Sequence, residues 1–161
     1  MKTIEIIGRN FCGATARTRV ACRGIVLQAG KLLLSHELHS GWYLIPGGGL
    51  EGEESIEECC AREVLEETGY IVTPTEHFLT LKECYGDWCY ISHYFRCEVT
   101  GTGEAKLTVQ EESRGLAAEW VDFDAACAIF AAHTSYASFD KKRGTYQRED
   151  RALTCFREEC L

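Results

Sequence analysis

Three glutamates, Glu63, Glu66 and Glu67, stand at i, i+3 and i+4, the spacing that puts side chains on one face of a helix. Their like charges repel unless a cation or solvent offsets them, and carboxylate oxygens are hard ligands suited to Mg²⁺ or Mn²⁺. Just upstream, Gly47, Gly48 and Gly49 leave no side chain between the backbone and an approaching group. A main-chain carbonyl there can reach a metal and amides can face a phosphate, although a tight turn after a strand would use the same glycines. The chemistry these residues suggest is a divalent cation held against phosphate oxygens.

A helix has to carry the three carboxylates, and its ends are legible. Ser55 and Glu58 have the spacing of a capping box, and Gly69 sits where a left-handed C-cap is expected, so the pattern predicts a helix over 56–68. At about 100° per residue, Ile56, Cys59 and Cys60 share the sector of the glutamates, while Ala61, Val64 and Leu65 form a second apolar sector. An acidic stripe that shares its face with buried-type residues suits a metal site at the edge of a core better than a water-facing helix.

Strands surround that helix. Segments 20–27 and 32–35 flank a hairpin turn at Gln28, Ala29, Gly30 and Lys31, and 42–45 leads into Pro46 and the glycines. Segments 78–81 and 89–99 read as further strands; in the second, Cys89, Ile91, His93, Phe95 and Cys97 alternate with Tyr90, Ser92, Tyr94 and Arg96. A short strand at 120–123 precedes an alanine-rich helix at 124–132, and another helix is expected near 148–159. No repeat, low-complexity tract or proline-rich linker interrupts the chain.

Gly48, Glu54, Arg62, Glu63, Val64, Glu66, Glu67 and Gly69 fit the pattern G-x5-E-x7-R-E-U-x-E-E-x-G-U, U being apolar, and Tyr70 offers a ring at the last position. A fortuitous fit is on the order of one in a million for average residue usage. The chain resembles a Nudix hydrolase of the MutT-like, single-domain kind, most strongly over 18–135. The resemblance implies the α/β class, an α/β/α sandwich with a mixed β-sheet between helices, and one domain over 1–161. It also implies a metal-dependent pyrophosphohydrolase that cleaves a nucleoside diphosphate linked to another moiety, X. The Gly47 carbonyl, Glu63 and Glu67 would be the core ligands of Mg²⁺ or Mn²⁺, with Glu66 completing the shell of a second ion.

Arg62 would then orient a carboxylate, its plainer reading being a surface ion pair. Glu63 is the expected general base, rivalled by a glutamate from a downstream loop. Glu111 and Glu112 lie where many relatives keep such a residue, and Glu112 is the candidate additional metal ligand; a solvated Glu-Glu pair is the alternative. Tyr85, Trp88 and Tyr90 fall where diadenosine tetraphosphate hydrolases keep a base-stacking tyrosine, though aromatic residues in a sheet also serve as core. Neither the extended motif of NADH pyrophosphatases nor the downstream proline of many ADP-ribose pyrophosphatases is present. A non-catalytic domain that senses a nucleotide metabolite is the other functional class, disfavoured because every carboxylate of the pattern is retained.

Composition narrows the partners. At 161 residues and 45% hydrophobic content, one compact domain can bury a core without metal or disulfide staples. The net charge is -8, yet residues 51–67 alone hold eight Glu and one Arg, so the remainder is nearly neutral. Such acidity argues against a nucleic-acid polymer or an anionic membrane and for a small nucleotide-type substrate approached through a metal; dimers are common among relatives. No stretch approaches the roughly 20 apolar residues of a membrane span. The ten cysteines lack zinc spacing, the nearest pairings being Cys84 with Cys89, Cys155 with Cys160 and the adjacent Cys59 and Cys60. The expectation is a cytoplasmic protein with reduced thiols used as small hydrophobes. Arg17, Arg19, Arg23, Lys141, Lys142, Arg143, Arg148 and Arg151 could bind further phosphates or simply face water.

Overall fold

Ala29 and Gly30 both take left-handed backbone angles, φ +50° and +76°, and this two-residue turn folds β2 (Arg17–Gln28) back onto β3 (Lys31–Glu37). In the computed structural model, which describes residues 1–137 and 140–161, the sheet grows from that hairpin in two directions. On one side β7 (Trp88–Thr102) runs parallel to β2, β6 (Tyr70–Tyr85) antiparallel to β7, and β1 (Lys2–Ile7) parallel to β6 at the edge. On the other, β4 (Trp42–Leu44) and β8 (Leu116–Asp122) pair antiparallel with β3, and β5 (Gly47–Gly49) lies antiparallel on β2.

Alternation along β2 separates two cores. Cys22 and Val26 pack with Cys60, Val64 and Phe95 beneath α1 (Ile56–Thr68). Ile25 points the other way, toward Leu79, Leu81, Tyr94, Leu153 and Phe156 under α3 (Phe123–Ala131) and α4 (Lys141–Cys160). The result is the expected mixed sheet between helices.

The α1 boundaries are those read from its caps: Ser55 accepts from the Glu58 amide, Glu58 reaches back to the Ser55 amide, and Gly69 is left-handed at φ 76°. Other elements differ from expectation. β6 begins at Tyr70, directly after α1, because register shifts at Ile71/Val72, Pro74/Glu76 and His77/Leu79 let the strand pass Pro74 while breaking the alternation that would have revealed it. β1 forms although only Ile4 and Ile6 supply an apolar face to the core. α2 (Val109–Arg114) is a short helix closed by a Thr108–Glu111 capping box, and α4 starts at Lys141, capped by Asp140, rather than near 148.

The expectation of uniformly reduced thiols is corrected at one place. Cys84 and Cys89 form a disulfide. The β6–β7 turn at Gly86 and Asp87 sets these residues directly opposite one another across the ladder, so two side chains read as small hydrophobes meet. Cys22, Cys59, Cys60, Cys97 and Cys155 are free and buried, as small apolar groups would be. Among the described residues, no helix is long and apolar enough to cross a membrane.

Candidate active site

The β5 glycines and the acidic face of α1 meet at the wall of a cavity of about 850 Å³, lined there by Gly47, Gly48, Gly49, Glu63, Glu66 and Glu67. Contact is close enough to demand glycine. A Cβ on Gly48 would sit 2.4 Å from Glu63 Oε2, and one on Gly47, at φ +151°, would strike the Cys22 carbonyl at 2.2 Å. Both positions therefore require a bare backbone if the strand is to lie against β2 and against the Glu63 carboxylate at once.

Arg62 organises the acidic wall. Its Nε and Nη2 donate to the two oxygens of Glu54 at 2.9 and 2.7 Å, a bidentate pair that ties the loop before α1 to the helix. Nη1 donates to Glu63 at 2.9 Å and to Glu66 at 3.2 Å, and Nη2 also reaches the Gly49 carbonyl at 3.0 Å. Arg62 thus bonds three carboxylates and is only 24% exposed. Its guanidinium holds the Glu54 carboxyl down at about 2. Glu63 responds differently, because burial raises it above the usual carboxylate range despite Arg62.

Glu67 is fixed from the other side. Ser35 of β3 donates to its Oε2 at 2.6 Å and the Gly47 amide at 3.3 Å. Burial pushes this carboxyl up to about 8, with the Ser35 bond and Arg23 opposing the rise. A carboxylate displaced upward by desolvation sits where positive charge is deficient, and a divalent cation would supply it. Among the described residues no three His, Cys, Asp or Glu side chains close into a preformed cage. The Gly47 carbonyl accepts a long 3.5 Å bond from Arg23.

The residues expected farther out separate. Glu111, whose side chain caps α2, lines the cavity, whereas Glu112, expected as the additional ligand, is exposed and outside it. About 100° of helix rotation parts the two. Tyr90 lines the cavity. Trp88 does not; it stacks on Tyr90 with ring centres 5.6 Å apart and planes 9° apart, and Arg17 lies 5.2 Å over it. Tyr85 lies under the Gly8 backbone, with its hydroxyl 3.5 Å from Glu83.

The basic residues also divide. Arg19, Arg23 and Arg148 line the cavity, and side-chain exposure of only 13% for Arg23 and 14% for Arg148 excludes the reading of solvated surface for these two. Sequence reasoning missed what holds Arg23 and Arg148: Glu83, Glu149 and the main chain around Ile45 carried no local signal. It also missed Glu111 as distinct from its neighbour, although Thr108 three residues before it spelled a capping box.

A mixed sheet between helices thus sets a glycine strand and a carboxylate helix on one cavity of nucleotide size. The family model for the NUDIX domain matches residues 17–142, and the chain belongs to that family. A Caenorhabditis elegans protein provisionally named nudix hydrolase 1 is 43% identical over 79 residues, covering 49% of this chain and 20% of the relative. The NAD-capped RNA hydrolase NudC of Vibrio cholerae serotype O1 is 48% identical over 48 residues, 29% of this chain and 18% of the relative. The chain therefore spans about a fifth of the length of these curated relatives. Among solved structures, a NUDIX hydrolase from Nitrosomonas europaea superposes with a TM-score of 0.61 at 26% identity, covering 85% of this chain and 90% of that one.

Proposed function

We propose that this protein hydrolyses the phosphoric anhydride of a nucleoside diphosphate linked to a second moiety, X, with Mg²⁺ or Mn²⁺ as cofactor. The observation that carries this reading is the convergence of Glu63, Glu66, Glu67 and the Gly47–Gly49 backbone on one cavity large enough for a nucleotide. The Gly47 carbonyl, Glu63 and Glu67 would hold the cation, with Glu66 available to a second. A divalent cation, when bound, offsets charge on bridging phosphates and lowers the pKa of a coordinated water.

The rest falls to the chain. Arg62 keeps Glu63 and Glu66 from turning away from the cavity, since its bonds to both originate from one nitrogen. Glu63 is positioned to take the proton from an attacking water; Glu111, on the same cavity wall system, is the alternative base. Tyr90 offers a stacking face for a base. The relative that hydrolyses NAD-capped RNA brings one more candidate for X, a capped RNA end, beside free nucleotides.

The test is product release from nucleoside triphosphates, oxidised dGTP, ADP-ribose, nucleotide sugars, diadenosine polyphosphates and NAD-capped RNA, with Mg²⁺ or Mn²⁺, beside Glu67→Gln. Selective turnover by the wild type, lost in the variant and on chelation, supports hydrolysis and names X. Tight binding of one compound with no turnover of any would replace the enzyme with a nucleotide sensor.

A further inference from the structure

Beneath the cavity lies a buried cluster of four ionised side chains that the acidic wall does not use. Arg148 of α4 sits between two glutamates, donating from Nη2 to Glu149 Oε1 at 2.6 Å and placing Nη1 3.8 Å from Glu83 Oε2. Glu149 is fully buried, accepts from the Tyr94 hydroxyl at 3.1 Å, and lies 3.9 Å from Arg23 Nη1. Arg23 in turn donates to the Ile45 carbonyl at 3.1 Å. Two cations and two anions alternate, and the cluster has no net charge.

Neutrality hides an asymmetry. Arg23 and Arg148 line the cavity, while Glu83 and Glu149 face the core at 5% and 0% exposure. The cluster therefore shows its positive side to the cavity and its negative side to the protein. Both guanidinium groups also keep a buried Nε with no hydrogen-bond partner. Burying four ionised groups carries a desolvation penalty of several kcal/mol per ion that well-packed apolar side chains would avoid, so structural cement is a poor account of the arrangement. Guanidinium groups backed by carboxylates, with donor capacity unspent and a cavity in front of them, are matched to an oxyanion.

We infer that Arg148, steadied by Glu83 and Glu149 and joined by Arg23, binds a further oxyanion of the substrate, a phosphate beyond those next to the carboxylates of α1. This rests on the reading of the cavity as a phosphoanhydride site and deepens it: the substrate carries a phosphate beyond those of the anhydride. Arg19 also lines the cavity and pairs in register with Tyr90.

The test is independent of turnover. Inorganic phosphate is titrated into the intact protein in EDTA, which removes any cation that could hold the anion at the glutamates. Binding is followed by calorimetry and by the Nε–H resonances of Arg23 and Arg148, which burial protects from rapid exchange. Saturable binding that weakens with salt, shifts the Arg148 resonance, falls at least tenfold in Arg148→Gln and survives in the exposed-helix control Arg151→Gln supports the site. No saturable binding by the wild type, or binding that leaves the Arg148 resonance unmoved, overturns it. The resonance decides the matter in the wild type alone should Arg148→Gln fail to fold. A panel that shows no hydrolysis leaves this result readable, so failure of the enzymatic reading and failure of the subsite are distinguishable.

Discussion

The two charged walls of the cavity are built by different means. On the acidic wall Glu54, Arg62, Glu63, Glu66 and Glu67 lie within one loop and one helix, and a single residue, Arg62, orients three of its four carboxylates. The basic wall draws Arg23 from β2 and Arg148 from α4, segments joined only when the sheet is formed and the last helix packs over it. A wall made of local sequence can be tuned one side chain at a time. One made of distant segments is tied to global stability, because its charges are compensated only in the complete fold.

Substitutions on the acidic wall should therefore act on chemistry with little effect on the fold. Glu67→Gln keeps shape and the Ser35 contact but removes a charged ligand, and kcat should fall by roughly 10²–10⁴-fold. Its melting temperature should hold or rise, since a carboxylate destabilised by burial is gone. Steady-state kinetics and thermal melts of the same preparation check both halves; a variant that melts early would show the acidic wall to be structural after all. On the basic wall the order reverses. Arg148→Met strands Glu149 and Glu83, and breaking such a buried pair costs about 3–5 kcal/mol of stability in urea unfolding. Adding Glu149→Gln should restore part of the loss, and a double variant no better than the single would mean that the ion pair is not what the helix depends on.

Between these extremes lie the supporting groups. Arg62→Lys retains charge but cannot donate to Glu54, Glu63 and Glu66 together, so kcat should drop about 10- to 100-fold while KM changes little. Tyr90→Ala should raise KM for a base-bearing substrate by about 1–3 kcal/mol, and Tyr90→Phe should not. Equal loss in both variants would place the hydroxyl, not the ring face, against the substrate.

The same contrast explains what the sequence disclosed. The α1 helix and its two caps were legible because each depends on neighbours a few positions away, whereas Gly47–Gly49, read as a turn or a bare backbone segment, form a strand whose pairing with β2 is long-range. Ala29 and Gly30 likewise announced the hairpin. β6 was largely hidden because Pro74 and three register shifts interrupt its alternation, and β1 because Ile4 and Ile6 are too few to set a period. The disulfide was latent: a turn centred on Gly86 and Asp87 places Cys84 opposite Cys89, but only once both flanking segments are known to be strands of one hairpin. Eight basic residues looked alike in the chain. Arg23 and Arg148 separate from the rest only because α4 packs on the face of the sheet that carries Tyr94 and Glu83.

Acidity should pull the two walls apart in opposite directions. Glu54 titrates at about 2 in the folded protein, beneath its ordinary value of 4.5, so its pairing with Arg62 stabilises the fold fully above 4.5 and is lost as pH falls toward 2. Glu83 is raised by burial, which outweighs the pull of Arg148. Its contribution is present below 4.5 and disappears as pH climbs through the raised value, because ionising it inside the protein then opposes folding. Melts in EDTA from pH 2 to 7 should show Glu54→Gln with a flattened acid limb and a lower plateau. Glu83→Gln should match the wild type in acid and exceed it slightly toward neutrality. If Glu83→Gln instead melts lower at neutral pH, attraction to Arg148 exceeds the cost of burial, and the basic wall is stabilised by its charges in the same way as the acidic one.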